Sequence, residues 1–218
     1  MKVGIIQFPG SNCDQDCLHV IRNVLKQPAQ LLWHQVSELG DVDCVILPGG
    51  FSYGDYLRTG AMAARSPIMK AVSAFADRGG LVVGICNGFQ ILCEAGLLPG
   101  VLMRNKNLRF ICDDCELQVE RTDTAFTSLY KAGQTIQMPI AHMEGSYFID
   151  DAGLKRLEKN RQILFRYTKN PNGSVADIAG IINEKGNVLG LMPHPERVCE
   201  KILGGEDGMG FFKSLCQR

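Results

Sequence analysis

The chain lacks an excess of charge of either sign: 23 Lys and Arg stand against 23 Asp and Glu. That balance excludes the basic footprint of a nucleic-acid binder or of a protein held on an anionic membrane surface. An apolar run long enough to span a bilayer is missing, and Met1-Lys2 leads into strand-like sequence without a signal-peptide pattern. No phosphate loop of the form G-x-x-x-x-G-K-[ST] occurs, and Phe51 to Tyr56 lacks the G-x-G-x-x-G spacing of a dinucleotide fingerprint. An ATP- or dinucleotide-binding function is therefore not expected of this chain. Internal repeats and low-complexity stretches are absent too. Cysteine, by contrast, is plentiful. Nine cysteines without a secretory signal point to reduced thiols and a cytoplasmic location. With 218 residues, 45% of them hydrophobic, the chain reads as a single domain over residues 1–218.

One stretch organises the rest. Leu81 to Ile85 (LVVGI) is a short, partly β-branched apolar run of the kind that forms a buried strand. From Asn87 to Ala95, apolar residues at Ile91, Leu92 and Ala95 fit a helix that Gly96 ends. Cys86 stands at the joint, inside Gly84-Ile85-Cys86-Asn87-Gly88. This is the G-x-S-x-G elbow pattern with a thiol in place of the hydroxyl. A strand turning directly into a helix crowds its neighbours, and glycines two positions either side remove the β-carbons that would clash. The corner side chain then sits above a helix N-terminus, whose free amides and dipole stabilise negative charge on sulfur.

Further strands are expected over Lys2–Gln7, Ala29–Trp33 and Asp43–Leu47, with helices over Asp14–Leu25 and from Pro67 to about Arg78. Ser66 reads as the N-cap of the latter helix, with Pro67 at its first position. The second half turns strand-rich: Leu108–Val119, Thr135–Ala141, Ile163–Tyr167, Ile178–Asn183 and Val188–Met192, then a final helix over about Gly208–Cys216. The fold class is α/β, a mainly parallel sheet flanked by helices with added antiparallel strands. Gly49-Gly50, closing the third strand, is either a tight turn or a loop that brings backbone N–H groups to a ligand. On the second reading the oxyanion hole consists of the amides of Asn87 and of Gly49 or Gly50.

Val188–Met192 runs into Pro193-His194-Pro195-Glu196. Prolines on both sides of His194 favour an extended backbone, in which residues two apart share a side, so Glu196 can orient the imidazole. A carboxylate, an imidazole and a thiol form the general activated-nucleophile arrangement, here Glu196, His194 and Cys86. Cys112-Asp113-Asp114-Cys115 supplies two sulfurs where structural zinc needs four ligands, and it lies in a strand pattern where a redox pair would open a helix. No metal is expected. His142 and Glu144 also lie two apart, but without the flanking prolines at a strand end.

Gly-Ile-Cys-Asn-Gly-Phe-Gln with Pro-His-Pro-Glu resembles the class I (triad) glutamine amidotransferases. Pro48 to Arg58 (PGGFSYGDYLR), Pro9 to Asp14 (PGSNCD), Arg104-Asn105-Lys106 and Asn172-Gly173-Ser174 narrow the resemblance to the family of small glutaminase subunits of phosphoribosylformylglycinamidine synthase. The match covers essentially the whole chain. It departs at His142-Met143-Glu144-Gly145, where the family commonly has His-Gly-Glu-Gly and methionine lacks glycine's conformational freedom.

The resemblance implies that Cys86 attacks the side-chain amide of glutamine, with His194 as base and acid and Glu196 holding it. It assigns Gly50 and Asn87 to the oxyanion hole, and Gly49 and Gln90 to substrate binding. It further implies a synthetase partner and a small accessory subunit, with ATP and magnesium on the synthetase and no cofactor on this chain. The rival readings are another thiol hydrolase on the same scaffold and a binding module without catalysis. Turnover that ignores any partner would favour the first, and absence of a thioester the second.

Overall fold

The structure, a computed structural model, describes residues 1–217. Strand β1 (Val3–Gln7) leads to helix α1 (Asp14–His19), strands β2 (Ala29–Trp33) and β3 (Cys44–Leu47), and helix α2 (Ile68–Asp77). Strand β4 (Leu81–Ile85) and helix α3 (Asn87–Glu94) follow, then β5 (Val101–Met103), β6 (Ile111–Val119), β7 (Thr135–His142) and β8 (Ser146–Phe148). Helix α4 (Asp151–Lys159), strands β9 (Ile163–Tyr167), β10 (Ile178–Ile182) and β11 (Val188–Leu191), and helix α5 (Gly208–Cys216) complete the order.

Nine strands form one sheet in the order β2-β1-β3-β4-β11-β10-β9-β6-β7, and β5 pairs with β8 in a separate ribbon. Strands β2, β1, β3, β4 and β11 run parallel, while β10, β9, β6 and β7 continue the sheet antiparallel. Every residue of β3, β4 and β11 is buried. Near-continuous apolar runs such as CVIL and LVVGI are what a strand covered on both faces requires. Helix α3 packs across β3, β4 and β11. Those three strands are neighbours, so Gly49, Cys86 and Pro193, each just past a strand's C-terminal end, come close together. Open α/β sheets place ligands at that edge. Among the described residues no helix is long and apolar enough to cross a membrane.

The expected order of elements is present, with instructive differences. The first helix is regular only to His19 and continues as a π-helical turn over Val20–Val24, with Leu25 N–H bonded to Val20 O at 2.9 Å. Ser66 does not cap α2: its hydroxyl lies 3.3 Å from His34 Nδ1 and 3.2 Å from the Tyr53 hydroxyl, in a buried polar cluster. The strand expected from Leu108 begins at Ile111, because Leu108 takes a left-handed conformation at φ 56°. Helix α4 has no counterpart in the sequence reading. It is a surface helix opened by Asp150, whose carboxylate accepts the Gly153 amide at 2.7 Å.

Candidate active site

Cys86 sits at the corner between β4 and α3 with φ 51° and ψ −105°, a conformation that costs a non-glycine residue on the order of 1–3 kcal/mol. The surroundings fix it there. Its amide donates to Leu191 O at 2.7 Å, and its carbonyl accepts the amides of Phe89 and Gln90 at 3.0 and 3.2 Å. Two residues beyond the corner only glycine fits: a Cβ on Gly88 would lie 1.9 Å from the carbonyl oxygen of Leu47, at the end of β3. The thiol points across to β7, 3.8 Å from Ala141 O.

His194 and Glu196 meet as expected, but by another route. Pro195–Arg197 is a single tight helical turn rather than an extended chain, so the two side chains converge through a bend. His194 Nδ1 lies 2.6 Å from Glu196 Oε1, with the side chains only 1% and 0% exposed. Burial opposes a charged imidazole. The Glu196 carboxylate and then the Cys86 sulfur outweigh it and hold His194 well above its usual range. Nε2 has no hydrogen-bond partner among the described residues. A histidine with one nitrogen anchored on a carboxylate and the other unengaged is arranged to exchange a proton with a bound group.

The cleft at Cys86 has a volume of about 220 Å³ and includes Gly50 and Gln90 in its wall. Gly50 has φ +137°, and a Cβ on it would lie 2.7 Å from Asn12 N, so only glycine fits. Its loop is pinned to Ser11 by Phe51 N–H on Gly10 O at 3.0 Å, a pairing that does not use the Gly50 amide. Asn87 opens α3, where the first amides have no intrahelical acceptor. Its side chain turns away, accepting Ser52 N–H at 3.1 Å and donating to Gln90 Oε1 at 3.0 Å. Gln90 Nε2 donates to Glu144 O at 2.5 Å. Gly49 packs against the histidine: a Cβ there would be 2.7 Å from His194 Cε1, so glycine leaves room for the imidazole.

Sequence reasoning missed the opposite wall. Asp55, Thr59, Arg104 and Glu144 line the same cleft. Glu144 accepts from the Thr59 hydroxyl, and its other oxygen lies 3.5 Å from Arg104 Nε. Burial, helped by Glu144, raises Asp55 to about 6. Asn105, fully buried, bonds Gly145 N–H and His142 O, and Asn172 Nδ2 donates to Gly145 O at 2.8 Å. Two of the short stretches that carry the resemblance are thus the scaffold of the 142–145 loop. Met143 is absent from the residues with positive φ, so that position does not depend on glycine.

Cys13 is a second buried thiol here, its sulfur within 4.8 Å of ligand atoms on His194 and Glu196. Arg197 Nη2 already donates to that sulfur at 3.0 Å, placing positive charge where a metal cation would sit. Cys112 and Cys115 are split between the faces of β6, one exposed and one buried. A larger cleft of about 670 Å³, bordered by His34, Arg65 and Glu94, does not include Cys86.

Residues 1–204 match the family model described as a CobB/CobQ-like glutamine amidotransferase domain. The chain is 56% identical over 223 residues to phosphoribosylformylglycinamidine synthase subunit PurQ of Salinibacter ruber, covering 98% of this chain and 95% of that protein. A chain of the PurLQS structure from Thermotoga maritima is 46% identical, covers 99% of this chain and 97% of its own length, and superposes with a TM-score of 0.91. The glutaminase domain of Trypanosoma brucei CTPS with bound acivicin shares the fold alone, at 12% identity and TM-score 0.65 over 100% of this chain and 94% of that one. At such identity over nearly its whole length, the chain belongs to the class I, CobB/CobQ-like glutamine amidotransferase family, together with PurQ.

Proposed function

We propose that this chain is the glutaminase subunit of phosphoribosylformylglycinamidine synthase. It hydrolyses glutamine and hands ammonia to a synthetase subunit, which uses ATP to convert formylglycinamide ribonucleotide to the amidine in purine biosynthesis. The observation that carries the reading is 56% identity to PurQ across 98% of the chain. In support, Cys86 lies in a cleft wall and His194 is paired with Glu196 at 2.6 Å. Residues 1–218 act as one amidotransferase domain, and strands from both ends of the chain share its main sheet. The partners are the synthetase and a small accessory subunit. ATP and magnesium act on the synthetase, in keeping with the lack of a phosphate loop here, and this chain needs no cofactor of its own. Nine free thiols suit a reducing cytoplasm.

The Cys86 sulfur attacks the carboxamide carbon, and the developing oxyanion is met by the amides of Asn87 and Gly50. His194 protonates the departing nitrogen, the C–N bond breaks, and a glutamyl thioester with free ammonia results. Water, deprotonated by His194, then cleaves the thioester to glutamate. Glu196 keeps the imidazole in place throughout. The far end of the cleft suits the amino-acid head of the substrate: Asp55 and Glu144 face its ammonium, and Arg104 its carboxylate. The test is reconstitution with the synthetase and accessory subunits. Glutamine-dependent amidation should require this chain, while added ammonia should bypass it. Amidation from glutamine in its absence would refute the assignment.

Asp55 gives a pH signature. Its carboxyl is raised from 3.8 to about 6, so it loses its negative charge as pH falls through about 6. KM for glutamine should therefore rise below pH 6. Asp55→Asn should show the high KM at every pH and no such limb. A wild-type KM that is flat from pH 7 to pH 5 would remove Asp55 from the site.

A further inference from the structure

His142 ends β7 and is 3% exposed. Its Nδ1 lies 3.1 Å from Asn105 Oδ1, and the orientation of that amide is settled by its neighbours. Asn105 Nδ2 donates to two carbonyls, Arg109 O at 2.8 Å and His142 O at 2.9 Å. Asn105 Oδ1 accepts Gly145 N–H at 3.1 Å. An oxygen cannot donate to Nδ1, so Nδ1 carries the proton. Burial, and after it the neighbouring His194, lowers His142 to about 4, which keeps the ring neutral. Nε2 is then a bare lone pair, buried and without a hydrogen-bond partner among the described residues.

An orphaned buried acceptor costs about 1–3 kcal/mol, and a ligand that brings a donor removes that cost. His142 lines the cleft that holds Cys86. The preceding residue, Ala141, has its carbonyl 3.8 Å from the Cys86 sulfur, so this end of β7 abuts the reacting centre. Of the groups that reach Cys86 during the reaction, the carboxamide of glutamine offers N–H donors, whereas the carboxylate of glutamate offers only acceptors.

We propose that His142 Nε2 accepts an N–H of the substrate carboxamide and thereby discriminates glutamine from glutamate. The proposal rests on the glutaminase reading. In the first half-reaction His194 gives its proton to the amide nitrogen as the C–N bond breaks, and the ammonia formed still donates to His142. In the second, the new carboxylate faces the lone pair and is repelled, which speeds product release. His142 itself gains or loses no proton.

The test uses the complex reconstituted with the synthetase and accessory subunits. His142→Asn keeps a short amide arm toward Asn105 but deletes Nε2, and His142→Gln restores a polar atom near Nε2. With His142→Asn, KM for glutamine should rise roughly tenfold, the worth of one hydrogen bond. Inhibition by glutamate should stay the same or tighten, and His142→Gln should recover part of the discrimination. Equal weakening of both ligands, or no change in either, overturns the proposal. A probe independent of any variant is L-glutamate γ-methyl ester, whose side chain keeps the carbonyl but has no N–H. Its KM on the wild-type complex should exceed that of glutamine about tenfold, and equal values overturn the proposal. Loss of the glutaminase reading would look different, since the wild-type complex would then hydrolyse neither compound.

Discussion

Alanine in place of Cys86 is expected to abolish glutamine-dependent amidation while leaving ammonia-dependent amidation by the assembled enzyme largely intact. The sulfur supplies the only covalent bond to the substrate in the proposed mechanism, and loss of a catalytic nucleophile typically costs roughly 10⁴-fold or more. The fold should tolerate the change, because a single sulfur is lost and the flanking Gly84 and Gly88 remain. Alanine does inherit the positive φ of the corner, a strain that cysteine already bears. Measuring both activities on one preparation separates chemistry from folding. Equal loss of the two would mean that Cys86 supports the assembly rather than the reaction.

Glu196→Gln should lower glutamine turnover on the order of 10⁴-fold, in line with the effect of removing the carboxylate from a serine-protease triad. Two consequences act together. The buried imidazole loses the charge that offsets its burial, so it falls from well above its usual range and is no longer protonated when the leaving nitrogen needs a proton. The glutamine amide can also donate to Nδ1, which drives the imidazole proton to Nε2 and removes the acceptor that the thiol needs. KM should change little, since Glu196 is 2% exposed and lies outside the cleft wall. The signature is a fall in kcat at nearly constant KM, with ammonia-dependent amidation unaffected. A variant that keeps kcat within tenfold of wild type would show that His194 is oriented by something else.

The elbow and the His194–Glu196 pair were legible because their geometry is set within a few residues. A strand, a helix and two glycines define the corner at Cys86, and two prolines confine His194. Even there the route was misread: Pro195 starts a tight turn, and only the short distance between the side chains made the conclusion insensitive to it. The far wall was not legible as a site. Asp55, Arg104 and Glu144 come from three loops, and nothing in the local pattern says that they converge. Asn105 and Asn172 entered only as motif residues, because a buried asparagine reads like a turn former until its partners are known. Helix α4 escaped notice because its apolar face is narrow: Leu154 and Leu157 are its only large apolar residues, set among charged ones. Ser66 carries the composition of a cap but is drawn instead to His34 and Tyr53.

In the proposed mechanism one thiol among nine forms a thioester with glutamine. Acid-quenching the reconstituted complex during turnover traps that species, and peptide mass spectrometry locates the covalent glutamyl group. The adduct is expected on Cys86 alone. The most demanding comparison is Cys13, whose buried sulfur also lies beside His194. An adduct on Cys13 or on any other cysteine, or continued glutamine hydrolysis by Cys86→Ala, would contradict that mechanism.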